Sequence, residues 1–304
     1  MSFFLRTAIL FLIATLIGAS SCTKDEVDSI DEVQFTHLPK DVLVKLKELK
    51  LDPSDFNMIE IVEIDGSKNE MIVMGDMMIS KERLIKTNAN ESVYISNRTK
   101  FIVDTKIHDV INLYVNTENT AYGLSKKTQE ALRDAIKEYN EIPGTTIRFN
   151  AIFSSDNSRY NEKNYDVLVN VQPDLFSETD ITGASEFPTK EGHPGEHFVL
   201  SVGANKASAK NYNSLKHLIM HGLGHVIGFR HVDWATRSSC VRHEFQKEES
   251  KEDVVIYISR MFSSMSPQFD SVMNACWRET EGKFSTSDKK AIKSRYPLRS
   301  PLLN

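Results

Sequence analysis

Beyond Asp25 the chain has no run approaching the roughly 18 apolar residues that a membrane-crossing helix needs. It also lacks a basic stripe. Lys and Arg number 37 against 42 Asp and Glu, for a net charge of −5, and basic residues are not interleaved with aromatics. The electrostatic footprint of nucleic-acid binding is therefore absent. Cysteine is scarce, with three in 304 residues, and no internal repeat is present. What remains is a globular composition, 40% hydrophobic and 26% charged, long enough for one or two domains with a real core.

The start of the chain differs from the rest. Arg6 precedes "TAILFLIATLIGAS", an apolar run followed by small residues, which reads as a secretory signal over residues 1–21 rather than a structural helix. It ends in "ASSC", similar to a bacterial lipobox, with Ala19 where leucine is commoner. On this reading Cys22 is lipidated and anchors a cell-envelope lipoprotein in a membrane. The acidic "TKDEVD" that follows resembles export tags for the outer membrane and cell surface of a Gram-negative cell. The alternative is plain secretion. Residues 22–32 then form a polar tether. Cys240 and Cys276 remain; an oxidising envelope lets them pair, and closing a 36-residue separation would contribute roughly 3–4 kcal/mol. Two free buried thiols are the alternative.

Residues 33–100 read as a small N-terminal region. "LPKDVLVKLKELKL" has helical periodicity, with Val42, Leu43, Val44, Leu46 and Leu49 on or near one face. "FNMIEIVEIDGSKNEMIVMGDMMIS" holds two β-prone runs around Asp65-Gly66, a hairpin signal with a loop longer than two residues. From Phe101 the pattern changes. "DVINLYVN", "TTIRFNAIF", "YDVLVNVQ" and "EHFVLSVG" predict strands, and "SKKTQEALRDAIKEYN" predicts a helix capped by Ser125 with Ala131, Leu132, Ala135 and Ile136 on its buried face. A helix from Ser214 to Gly228 and a last one in "STSDKKAIKSRY", ending at Pro297, complete an α+β arrangement over residues 101–304.

The chemistry lies in "HLIMHGLGHVIGFRH". Four residues on a helix bring His221 and His225 to one face a turn apart. Gly228 suits a left-handed helix end that turns the chain back, so that His231 reaches the same point. Three imidazole nitrogens at about 2.0–2.1 Å would hold Zn2+ with one position left open, the arrangement of catalytic zinc. His217, one turn earlier on the same face, reads as packing or as a support to the ligands. His37, His108, His193, His197 and His243 lack such spacing and are read as ordinary surface or loop histidines.

His221 to His231 resembles the metzincin signature, and "SVMN" resembles the Met-turn that lies beneath the zinc in that clan. "GHVIGFRHVDW", the cysteine pair, "FPTKEGHPGEHFVLS" and "FSTSDKKAIKSRYP" are similar to the dual-action HEIGH metallopeptidases, over roughly Phe101 to Pro297, with "VMGDMMIS" a fainter match. The resemblance implies a zinc-dependent endopeptidase of the cell envelope: a mixed twisted sheet, a backing helix, a zinc helix, a Met-turn and a C-terminal helix. It implies a peptide or protein substrate and a monomer. It makes Met273 a support beneath the metal and Asp233 a residue that orients a ligand. It casts the "EHFVLSVG" strand as the edge on which a peptide aligns. Residues 33–100 then stand where a pro-segment sits; in related clans such a segment offers the metal a side chain, and Asp76 is a candidate, the alternative being an ordinary strand-end or turn aspartate.

Two departures bear on activity. Gly222 occupies the position of the general-base Glu, and Ala275 that of a tyrosine which in some metzincins helps hold the transition state. Loss of a general acid–base costs ~10²–10⁴ in rate. Three explanations stand open: a zinc-binding pseudo-peptidase that acts as a surface peptide- or protein-binding lipoprotein, a replacement carboxylate from Glu186, Glu196 or Glu244, or an easier substrate. Mid-helix glycine is about 1 kcal/mol worse than alanine, so Gly222→Glu is expected to fold well and restore hydrolysis.

Overall fold

The computed structural model describes residues 38–87, 101–156, 160, 162–172, 182–207, 212–233, 239, 270–276 and 281–298. The signal segment, Cys22, the tether, His37, Cys240, His243 and Glu244 lie outside them. In chain order the elements are α1 (Lys40–Glu48), β1 (Asn57–Val62), β2 (Lys68–Met74), β3 (Met77–Ser80), α2 (Lys81–Lys86), β4 (Ile111–Asn116) and α3 (Lys126–Asn140). There follow β5 (Phe149–Ser154), β6 (Val167–Gln172), β7 (Gly183–Glu186), β8 (His197–Ser201), α4 (Val202–Ala207), α5 (Tyr212–Val226) and α6 (Thr286–Arg295).

Local chemistry accounts for most of these. Val42 and Leu46, one turn apart, are the buried face of α1, whereas Val44 is 50% exposed. Ser125 caps α3 by accepting from Thr128 N, and Ala131, Leu132, Ala135, Ile136 and Tyr139 are buried at helical spacing. β1 and β2 pair antiparallel across a Glu63–Ser67 loop that contains Gly66 at φ +81°. A second, tighter hairpin follows. Met74 faces Met77 across Gly75-Asp76, with Gly75 at φ +62° and Asp76 outside the left-handed region. Glycine first in a two-residue loop is the pattern of a type II′ turn. Asp76 is thus the tip of a hairpin.

The described strands form one mixed sheet in the order β1-β2-β3-β7-β8-β6-β4-β5. β4, β5, β6 and β8 run parallel to their partners in that group, β7 is antiparallel to β8, and β3 is parallel to β7. The "EHFVLSVG" strand, expected at an edge, is interior: β8 is paired on both sides and buried along its length. Its near-continuous apolar run suits a strand covered on both faces. The short β7, which has little apolar alternation, takes the position beyond it, and β3 then covers the outer side of β7.

The sheet curls. Val62 at the end of β1 donates its N–H to Gln172 Oε1 (3.1 Å), and its carbonyl accepts from Asn170 Nδ2 (3.2 Å) and Gln172 Nε2 (2.8 Å), both on β6. The first three strands thereby fold over one face of the sheet. There Ile61, Met71, Val73 and Met78 share a core with Ala184 of β7 and Val199 of β8. On the other face α3 and α5 pack Leu132, Tyr139, Leu215, Ile219 and Leu223 against Leu113, Val169, Phe198 and Leu200. The Tyr139 hydroxyl donates to Met220 O at 2.7 Å and fixes the two helices together.

Candidate metal site

His221 and His225 stand on α5, buried at 1% exposure each, and His231 follows the helix end. The end is built as the sequence predicts. Gly228 has φ +97°, its N–H donates to His225 O (2.9 Å), and Phe229 N donates to Gly224 O (2.9 Å), the paired bonds of a Schellman motif. A Cβ at this position would lie 2.5 Å from Phe101 O, so close backbone approach also demands glycine. Val232 N donates to Met273 O (2.9 Å), which ties the His231 segment to the 270–276 turn.

Each helical histidine is oriented by a carbonyl. His221 Nδ1 donates to Val272 O (2.7 Å) and His225 Nδ1 donates to Phe229 O (2.8 Å). Both Nε2 atoms therefore face the same point, where the Asp76 carboxylate stands. His221 Nε2 and His231 Nε2 are 3.2 Å apart. Zinc–nitrogen bonds of 2.0–2.1 Å at a tetrahedral angle require ~3.3 Å. The fourth member comes from outside the motif: Asp76 Oδ2 lies 2.8, 3.2 and 3.6 Å from the Nε2 atoms of His221, His231 and His225. Asp76, His221, His225 and His231 offer ligand atoms that all lie within 4.8 Å of one another.

The donor set fits a cation. His225 Nε2 and Asp76 Oδ1 are buried without a hydrogen-bond partner, although His225 Nε2 faces a carboxylate. Burial, then the charge of His221, lowers His225 to about 4, so it is a neutral imidazole at ordinary pH. Burial pushes the Asp76 carboxyl up, but His231, His225 and the hydrogen bond from His221 outweigh it and hold it well below the usual carboxylate range. A neutral imidazole beside an ionised carboxylate suits a divalent metal.

The supporting residues divide into foreseen and unforeseen. Asp233 accepts from Ser239 N (2.8 Å) and Ala275 N (2.9 Å), which joins the chain after His231 to the 270–276 turn. Met273 packs under α5: a Cβ on Gly224 would lie 2.4 Å from its sulfur. His217 is buried beside the cluster without joining it, and burial lowers it to about 3. Asp288 was not foreseen. It accepts from Val272 N (2.9 Å), Ser271 Oγ (2.6 Å) and Ser285 N (3.0 Å), so the cap of α6 also fixes the carbonyl that orients His221. The S-x-x-D spelling of a capping box was the available signal.

Gly222 has a structural role that the helix scale misses. A Cβ there would lie 2.4 Å from Cε2 and 2.7 Å from Cζ of Phe198, a buried side chain of β8. A side chain at 222, glutamate included, therefore requires the Phe198 ring to shift, a demand that helix propensity does not register. Neither described candidate for a replacement base joins the histidines. Glu186 binds His197 Nδ1 (2.7 Å) and Ser80 N (3.2 Å), and Glu196 groups with Glu186 and His197. His197, read as an ordinary histidine, is buried between two carboxylates. His108 and His193 meet at 2.8 Å near the surface, with Asp166 2.9 Å from His108.

A comparison with functionally curated proteins finds no match. Among solved structures, one titled "Crystal structure of myroilysin" is similar over 62% of this chain and 84% of that one, at 14% identity and a TM-score of 0.33. The profile described as dual-action HEIGH metallo-peptidase matches residues 71–296, a span that opens within β2 and so includes Asp76 as well as the three histidines. This chain belongs to the dual-action HEIGH metallo-peptidase family.

Proposed function

We propose that Asp76, His221, His225 and His231 hold one zinc ion in a closed four-ligand site, and that the chain's own N-terminal strands keep this metallopeptidase fold from cutting peptides. One observation carries the reading: the Asp76 carboxylate stands 2.8–3.6 Å from all three imidazole Nε2 atoms. Structural zinc sites have four protein ligands, whereas catalytic ones keep a position open. Asp76 fills that position.

Zinc, when bound in an open site, supplies Lewis-acid polarisation of a carbonyl and a more acidic water. This chain's residues contribute little of what else hydrolysis requires. Gly222 cannot move a proton, and among the described residues the only carboxylate grouped with the histidines is Asp76 itself. An extended peptide would add a strand to the free side of β7, but β3 already takes that side, with Met77 opposite Ser185 and Met78 opposite Glu186. From the sequence we also propose that the protein sits in the cell envelope, anchored through Cys22, with Cys240 bonded to Cys276. Ser239 Oγ accepts from Cys276 N at 3.0 Å, a contact between Cys276 and the sequence neighbour of Cys240 that supports the pairing.

The test is zinc content together with a peptide-library digest, for the wild type and Asp76→Ala. One zinc per chain is expected in both, with wild-type hydrolysis at background. Hydrolysis by Asp76→Ala alone identifies a latent peptidase; none identifies a pseudo-peptidase with structural zinc, which Gly222 favours. Strong wild-type cleavage that a chelator abolishes overturns the closed-site reading. Deletion of residues 33–96 is the poorer experiment, because it would strip Ala184 and Val199 of their shared core.

A further inference from the structure

We infer that Glu63, His197 and Glu186 form an ionic latch that holds the N-terminal strands, and hence Asp76, over the metal site; the inference rests on the closed-site reading above. His197 begins β8, with Nε2 2.7 Å from Glu63 Oε1 and Nδ1 2.7 Å from Glu186 Oε2. All three residues are buried, at 9%, 7% and 3% exposure. A ring with a carboxylate on each nitrogen donates from both only as the imidazolium. Glu63 belongs to the loop after β1, and Glu186 ends β7, so the single cation spans the two parts of the sheet that must separate for the site to open.

The connections lead directly to the hairpin that carries Asp76. Glu186 stands opposite Met78 in the β3–β7 register, and its Oε1 accepts from Ser80 N (3.2 Å). Glu63 also accepts from Asn69 Nδ2 (2.6 Å) on β2 and from the Tyr160 hydroxyl (3.1 Å). Arg83, just after β3, donates to Phe187 O (3.0 Å) and Pro188 O (2.7 Å), and its charge bears on Glu186. Every strand of the N-terminal layer is thus tied to this point or beside it.

Charge rather than apolar contact makes this a latch. Buried ion pairs add little net stability compared with apolar packing of the same volume, because separation returns each charge to water. Loss of one partner, in contrast, leaves the others buried and uncompensated. The closed arrangement is therefore sensitive to one side chain. His197, Glu63 and Glu186 act through Asp76 as positioning residues and do not touch the metal ligands' own nitrogens.

The experiment uses the full chain, zinc-loaded or cobalt-substituted, and the variants Glu63→Gln, His197→Gln and Asp76→Ala. Readouts are the rate of zinc loss to a chelator, the visible spectrum of Co2+, and circular dichroism as a check on folding. Glu63→Gln and His197→Gln should release zinc about tenfold faster or more. Both should shift the cobalt spectrum toward that of Asp76→Ala, with secondary structure retained. If Asp76→Ala leaves the cobalt spectrum unchanged, Asp76 is not a ligand and the closed-site reading fails. If it changes the spectrum while the folded latch variants match wild type in both readouts, the latch alone is overturned. Should His197→Gln not fold, Glu63→Gln, which keeps the shape and removes one charge, decides the matter by the same readouts.

Discussion

Two buried histidine clusters among the described residues have opposite ratios of base to acid. Around Asp76 three imidazoles meet one carboxylate, and one imidazole nitrogen and one carboxylate oxygen there have no hydrogen-bond partner. Around His197 one imidazole meets two carboxylates, and both of its nitrogens are engaged at 2.7 Å. A proton satisfies the second cluster completely. It cannot satisfy the first, where three imidazoles converge on one point. The proximity of histidine and carboxylate is therefore a poor guide by itself; counting donors against acceptors separates a cation site from an ion pair.

The comparison is broken most directly at the metal cluster. His225→Ala should lower zinc affinity by more than about 100-fold, beyond what loss of an orienting partner costs, and leave the His197 cluster intact. Metal analysis after dialysis checks this, and full zinc retention would refute the assignment. Asp288→Ala should act more mildly. It frees the Val272 segment whose carbonyl orients His221, and such outer supports are worth about 10–100-fold in affinity. Competition against a graded set of chelators measures it. An unchanged affinity would mean that Val272 is held without Asp288.

A third change sits between the clusters. Phe198 follows His197 on β8 by one residue, so its ring points to the opposite face and meets Gly222 on α5. Overpacking of this kind costs about 1–3 kcal/mol. Gly222→Ala should therefore lower the melting temperature despite alanine's better helix propensity, and Gly222→Glu should do so more. Thermal denaturation decides it; an unchanged or raised midpoint would show that Phe198 yields readily. Restored hydrolysis, if it is to be sought, needs room made at Phe198 as well as a carboxylate at 222.

These residues show where sequence reasoning reached and where it stopped. Histidine spacing and Gly228 were legible because helix periodicity and the left-handed end are local rules, and the structure brings the three rings together. The sheet was legible strand by strand wherever apolar residues alternate. β7 was not, since Gly183–Glu186 carries no such pattern and is a strand only because β8 and β3 pair with it. Asp76 was nameable only as a candidate, and the Gly-Asp turn that aims it was readable from "MGDM". Glu63, His197 and Phe198 were invisible: their roles come from strands distant in sequence, and no spacing rule connects position 63 with 197.

The smallest effect is the pH dependence of the latch, and its sign follows from the shifts. Burial works against the charge on His197, but Glu186 and Glu63 outweigh it and raise its pKa to about 10 from an ordinary 6.5. A raised histidine contributes stability that is complete below about 6.5 and is lost as pH climbs toward about 10. Burial likewise opposes ionisation of Glu63 and Glu186, yet His197 wins and lowers both. Their contribution is present above the ordinary carboxylate range and is lost as pH falls through and below it. Also facing the cluster are Glu196, which groups with Glu186 and His197, Arg83, whose charge favours ionised Glu186, and the Tyr160 phenol, which burial and Glu63 push well above its usual range. The phenol's shift carries it away from the neutral range, so the alkaline limb is assigned to His197. Zinc loss to a chelator should accelerate several-fold from pH 7 to 10 in the wild type, and the corresponding limb should be absent from His197→Gln. Equal limbs in the two proteins would assign the pH dependence to some other group and return His197 to a purely structural place in the core.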